Sequence, residues 1–160
     1  MKTRHRLFTS TTSKWMIAFL FFAYTFLLLY TVFFAWNHGS SYGPAGPGGR
    51  NYNLEPFLSI YNIATYSDTV WIPLRILVGN VILFMPFGFL FPLMVEKFRK
   101  ARVVSGMITP IILSFLLSVT IEINQFLFTM RVANVDDVIL NTLGGTLGVL
   151  IYRIMRLIRK

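Results

Sequence analysis

The chain has no cysteine and very little negative charge. Among 160 residues there are six Asp and Glu against fifteen Lys and Arg, and charged residues of both signs make up only 13%. The missing thiols exclude disulfide frameworks, thiolate zinc sites and cysteine nucleophiles, and they leave no redox clue to compartment. A soluble domain carries about 25% charged residues, so the shortage of charge argues against one. No internal repeat is evident, which leaves an inverted-repeat transporter without support.

Apolar residues fill the space: 55% of the chain is hydrophobic and 16% aromatic. Four blocks match the roughly 20 apolar residues that a bilayer-spanning helix needs. Residues 15–36 hold no charge and carry Trp15 and Trp36 at their ends, where amphipathic rings favour the membrane interface. Residues 76–95 are uncharged but interrupted by Asn80, Pro86 and Gly88, and residues 103–128 contain Glu122. Residues 138–154 are short and glycine-rich, and follow Asp136 and Asp137, which suit a helix N-terminus by capping and by dipole. A cleaved signal peptide is the rival reading of the first block. Its apolar core should be about 7–15 residues followed by small ones, whereas this core is longer and ends in Phe-Ala-Trp-Asn-His.

The composition thus predicts an all-α polytopic membrane protein with four transmembrane helices and an external interfacial segment between the first two. Residues 1–14 and 153–160 read as basic tails around a domain over 15–152. Residues 38–50 are rich in Gly, Pro and Ser and read as a flexible loop, whereas 51–73 carry aromatics and few charges and suit a short helix along the interface. Twelve basic residues fall on one side, in the two tails and the 97–102 loop, and three on the other, Arg50, Arg75 and Arg131. The positive-inside rule then puts both termini in the cytoplasm of a cell membrane. That topology, with anionic lipid on the inner leaflet, accounts for the basic excess better than nucleic-acid binding does.

Glu122 is the most expensive residue in this arrangement. A carboxylate within a span costs about 2.5–3.5 kcal/mol on insertion scales unless it is protonated, paired or wet. On the expected topology it lies about 9 Å below the external end of its helix. Gln125 shares its face, and Asn141 lies one turn beyond Asp137. Arg75, Asn80, Glu122, Gln125, Arg131, Asp136, Asp137 and Asn141 all fall in the outer third of the membrane or just above it. The expectation is an outward-opening polar pocket over a drier lower half. Glu122 and Asp137 are the candidates for acid–base chemistry, and no loop signature supports a metal or another cofactor. Gly144, Gly145 and Gly148 allow close helix approach; Pro86 and Gly88 allow a bend.

Four stretches carry a family resemblance: Asn-Leu-Glu-Pro-Phe at 53–57, Asn-Val-Ile-Leu-Phe-Met-Pro-Phe-Gly at 80–88, Ile-Glu-Ile-Asn-Gln at 121–125, and Asp-Val-Ile-Leu-Asn-Thr-Leu-Gly-Gly at 137–145, with Gly148 following. In that order and spacing, over residues 51–152, the chain resembles the VanZ-like family of bacterial membrane proteins, named for a protein of teicoplanin resistance. One position departs: the family often has an acid three residues before the equivalent of Asp137, and Asn134 stands there. The resemblance implies lowered susceptibility to glycopeptides such as teicoplanin, a phenotype more than a mechanism, and leaves open whether a reaction is catalysed. The partners would be membrane lipid and a glycopeptide or lipid-linked cell-wall precursor, with a homo-oligomer allowed. The alternative is a membrane enzyme acting on a lipid-linked glycan or phosphate, with Glu122 as general acid or base.

Overall fold

In the computed structural model the described residues are 11–34, 52–99, 106–129 and 132–158. Helix α1 is Thr11–Phe34. A two-residue strand β1, Tyr52–Asn53, leads to the short helix α2, Leu58–Tyr66. Helices α3, Trp71–Phe98, and α4, Ile108–Phe128, follow, and strand β2, Ala133–Asn134, precedes helix α5, Val135–Ile158. The α1, α3, α4 and α5 helices are each long and apolar enough to cross a membrane, so the architecture is the expected all-α bundle of four spans.

Several expected boundaries change: α1 begins at Thr11 and α5 runs to Ile158, so residues 11–14 and 153–158 of the expected tails are helical. Helix α3 begins at Trp71, so residues 71–73 belong to a span rather than to the interfacial segment. Helix α4 begins at Ile108, and residues 103–105 of the expected span lie outside the described ones. Helix α5 begins at Val135, so Asp136 and Asp137 occupy its first turn instead of preceding it. The cap is Asn134, whose Oδ1 accepts the Asp136 N–H at 3.1 Å, a side-chain-to-N2 bond typical of an N-cap.

The interior has two characters. Leu28 of α1, Phe84 of α3 and Ile121 of α4 form a dry cluster, with Tyr24, Leu83 and Leu117 packed around it. The Tyr24 hydroxyl donates to the Leu83 carbonyl at 2.6 Å, which ties α1 to α3. Phe21 packs against Phe87 and Phe91 with tilted rings farther along the same seam. Against α5, by contrast, α3 packs through glycine. A methyl group at Gly144 would strike the Val81 carbonyl, one at Gly148 the Met85 carbonyl, and one at Gly88 the Gly145 backbone. Such backbone contact is what small residues contribute between membrane helices, where dispersion replaces the hydrophobic effect as the packing force.

Two π-helical turns break the regular helices, at Leu74–Val78 in α3 and Gln125–Thr129 closing α4. Both lie at the same end of the bundle, where α1 ends and α5 begins. π-turns of this kind are rare and collect at functional sites. At the opposite end, Glu96 of α3 accepts the Tyr152 hydroxyl of α5 and lies 3.9 Å from the Arg156 guanidinium.

Candidate functional site

Ser114, Ser118 and Glu122 recur every four residues along α4, so they share one face, and all three are buried. That face meets α5, which presents Asp137, Asn141 and Gly145 at the same spacing. Asn141 Nδ2 donates to Ser118 Oγ at 2.9 Å, and Asn80 Nδ2 of α3 donates to Asp137 Oδ1 at 3.1 Å. Both asparagines therefore bridge helices. Gln125, also buried, donates from Nε2 to the Val32 carbonyl of α1 at 3.4 Å.

Asn134 joins the acids to the segment ahead of α3. Its backbone N–H donates to Glu122 Oε2 at 2.8 Å, and its Nδ2 donates to Asp137 Oδ1 at 3.3 Å. Its Oδ1 accepts Asn53 Nδ2 at 3.0 Å and the Ser59 hydroxyl at 3.3 Å. Strands β1 and β2 pair in parallel beside it, Tyr52 with Ala133 and Asn53 with Asn134. An amide suits this position because it donates and accepts at once; a carboxylate has no donor to offer Asp137 unless it carries a proton.

Asp136 faces the other way. Its carboxylate accepts the backbone N–H groups of Phe57, Ser59 and Ile60, at 2.5, 2.8 and 3.1 Å. These are free donors at the N-terminus of α2, so an acid from a different helix caps α2 and complements its dipole. The chain pays for the geometry at Phe57, which takes a left-handed φ of 69°, a conformation that costs a non-glycine residue about 1–3 kcal/mol.

Six of the eight residues singled out from the sequence line one cavity of about 110 Å³ at this end of the bundle: Arg75, Asn80, Glu122, Gln125, Asp137 and Asn141. The remaining walls include Thr31, Val32, Ile76, Leu83 and Ile121. Asp136 is not among the lining residues, and Arg131 lies outside the described ones. Arg75 stands exposed on the π-turn of α3 and makes no ion pair with Glu122 or Asp137. Asn141 is 4% exposed, yet among the described residues its Oδ1 has no hydrogen-bond partner.

Glu122 also borders a second space. An apolar groove of about 590 Å³ runs along the outside of α4, walled by Tyr52, Leu54, Phe115, Val119, Ile123, Phe126, Leu127 and Val138. Glu122 alone lines both groove and cavity. The carboxylate thus sits on the partition between the cavity inside the bundle and an apolar outer surface. Among the described residues no group of three or more His, Asp or Glu gathers as metal ligands do.

Sequence reasoning did not single out Ser118, Asn53, Ser59 or the groove. The four-residue spacing of Ser114, Ser118 and Glu122 is a signal that finds the serines. Asn53 enters from the sequence only as the first residue of the 53–57 motif, without a role, because its partner Asn134 is 81 residues away.

Comparison with known proteins agrees with the motifs. The VanZ/LLP1 family model matches residues 21–156. The chain is 34% identical over 103 residues to protein VanZ of Enterococcus faecium, a stretch covering 64% of this chain and 53% of that protein. It therefore spans about half the length of this curated relative. No solved structure matches it. The motif residues at 53–57, 80–88, 121–125 and 137–145 thus hold together one constellation, and the chain belongs to the VanZ/LLP1 family.

Proposed function

We propose that this protein acts in the bacterial cell membrane to lower susceptibility to glycopeptide antibiotics such as teicoplanin. It does so by holding the drug, or a lipid or cell-wall amphiphile, in a pocket at the outward end of the bundle. With twelve of fifteen basic residues in the two tails and the 97–102 loop, the positive-inside rule turns the cavity outward and both termini to the cytoplasm. The observation that carries the reading is the position of Glu122 between the polar cavity and the apolar groove. An amphiphile has a polar part and a hydrocarbon part, and this junction offers each a surface at the depth where such molecules reside. A site of mostly apolar walls with a few convergent polar groups is the usual form of a small-molecule pocket.

Glu122→Gln keeps the shape of the side chain and its acceptor toward the Asn134 N–H while removing the charge. In a glycopeptide-susceptible host producing equal amounts of membrane-inserted protein, the inhibitory concentration of teicoplanin is expected to fall to that of cells lacking the protein. Full protection by the variant at matched protein level defeats the reading.

A further inference from the structure

We propose that the cavity between α3, α4 and α5 is a receptor for an organic ammonium group, so that its ligand is an amine-bearing amphiphile rather than an anionic one. This rests on the reading of the cavity as a binding site and adds the chemistry of what enters it. The first observation is the donor and acceptor balance of the lining. Two carboxylates, Glu122 and Asp137, border the cavity, and among the described residues only one oxygen of each accepts a hydrogen bond, Glu122 Oε2 from Asn134 and Asp137 Oδ1 from Asn80 and Asn134. The asparagine donors nearest them, Asn80 Nδ2 and Asn134 Nδ2, are thereby engaged, and Asn141 Nδ2 is given to Ser118. Each of these amide nitrogens keeps a second N–H, and among the described residues the lining oxygens left without a donor include one on each acid and the Asn141 Oδ1.

The second observation is independent of the acids. Asn141 is among the lining residues and almost wholly buried, and among the described residues its Oδ1 has no hydrogen-bond partner. Buried acceptors are nearly always satisfied, and leaving one unmade is costly. A ligand that donates there relieves that cost, whereas a phosphate or carboxylate brings only more acceptors and more negative charge. Arg75, the one cation on the lining, stands exposed at the rim and makes no ion pair with either acid. An ammonium offers up to three N–H donors from one atom, which matches two carboxylates and an amide oxygen converging on a small space. A divalent ion is a poorer match: it takes six or more oxygens, and a third of the lining residues are the aliphatic Val32, Ile76, Leu83 and Ile121. Those apolar walls suit the carbon attached to the nitrogen.

The test uses the full chain purified in a neutral detergent and titrated with hexylammonium, hexanol and hexanoate, with affinity read from the rise in thermal unfolding temperature. Hexylammonium is expected to bind at least about tenfold more tightly than the other two. Glu122→Gln and Asn141→Ala each weaken it by about tenfold or more, the loss expected of one charge-assisted hydrogen bond. Ser118→Ala removes the other bond of Asn141 but leaves its Oδ1, so it retains hexylammonium binding; each variant is referred to its own ligand-free unfolding temperature. Equal binding of hexanol or hexanoate, or undiminished binding by both Glu122→Gln and Asn141→Ala, overturns the proposal. So does calcium chloride that stabilises the protein and displaces hexylammonium. Amine binding by a protein that leaves teicoplanin susceptibility unchanged supports the ammonium site while removing the resistance reading. Resistance lost in Glu122→Gln with amine affinity unchanged has the opposite meaning.

Discussion

Replacing Asp136 by alanine is expected to release the segment from Tyr52 to Tyr66 while leaving the four-span bundle folded. The Asp136 carboxylate takes three backbone N–H groups at the start of α2, from Phe57, Ser59 and Ile60. Hydrogen bonds to a charged group are worth about 1.5–3 kcal/mol each and are not additive. Nothing else holds α2 so firmly, because none of its residues is buried, and the left-handed Phe57 adds strain that opening relieves. A loss of about 2 kcal/mol or more in local opening free energy follows, which raises amide exchange at Phe57, Ser59 and Ile60 about thirtyfold. Asp136→Asn keeps one acceptor and falls between. Hydrogen exchange in detergent, followed by mass spectrometry, reads the outcome: protection over 57–60 that survives Asp136→Ala removes the cap from the account, and protection lost equally across α3 and α5 shows that Asp136 supports the whole bundle instead.

This cap also marks where the sequence stops being legible. The four spans are readable because each is a long uncharged block, and a bilayer imposes one dominant constraint on such a block. Their ends are less so. Residues 71–73 look like part of an interfacial loop by composition, yet the backbone turns helical at Trp71 because the following span continues through a π-turn toward its start. Asp136 and Asp137 look interchangeable as paired acids before a helix. Their neighbours separate them: Asp136 points to α2, which arrives from nearly 80 residues earlier, and Asp137 points to Asn80. Side-chain direction in the first turn of a helix depends on what packs beside it, and adjacent positions face about 100° apart.

Depth along the helices accounts for how much of the site could be read. Once three helices are taken as running in alternate directions, Asn80, Glu122, Gln125, Asp137 and Asn141 fall at one level, and polar residues at one level in a membrane have strong reason to meet. What depth cannot supply is the hub. Asn134 reads as a departure from the family habit of an acid at that position. In the structure it binds Glu122 through its backbone and Asp137 through its side chain, and it also receives Asn53. That role arises from β1 pairing with β2, a two-residue contact with no periodicity of its own. The apolar groove beside Glu122 was equally hidden, since its walls are residues that any lipid-facing helix would carry.

The largest effects on stability are expected at the glycines, and they divide by what each new methyl would meet. At Gly148 the obstacle is backbone, the Met85 carbonyl and the Phe89 nitrogen, and at Gly144 it is the Val81 carbonyl. At Gly145 it is only a side chain, the Cβ and Oγ of Ser114. Overpacking a close contact costs about 1–3 kcal/mol, and more where backbone must move. Gly148→Ala and Gly144→Ala are therefore expected to reach or exceed the top of that range, and no single side-chain deletion relieves them. Gly145→Ala is expected to lie within it and to be rescued by Ser114→Gly. The Ser114→Gly change itself costs about 1 kcal/mol in a helix, because glycine there gives the unfolded chain more freedom. Adding Gly145→Ala to it should then cost almost nothing, a coupling of about 1–2 kcal/mol in a double-mutant cycle. Reversible unfolding in mixed micelles measures the four single variants and the double. Additive effects of Gly145→Ala and Ser114→Gly would mean that α4 and α5 do not approach through this pair, and the stripe running from Ser114 to Glu122 would then lose its anchor on α5. Rescue confined to Gly145 ties the register of α4 against α5 to the same face that presents Ser118 to Asn141 and carries Glu122 into the cavity.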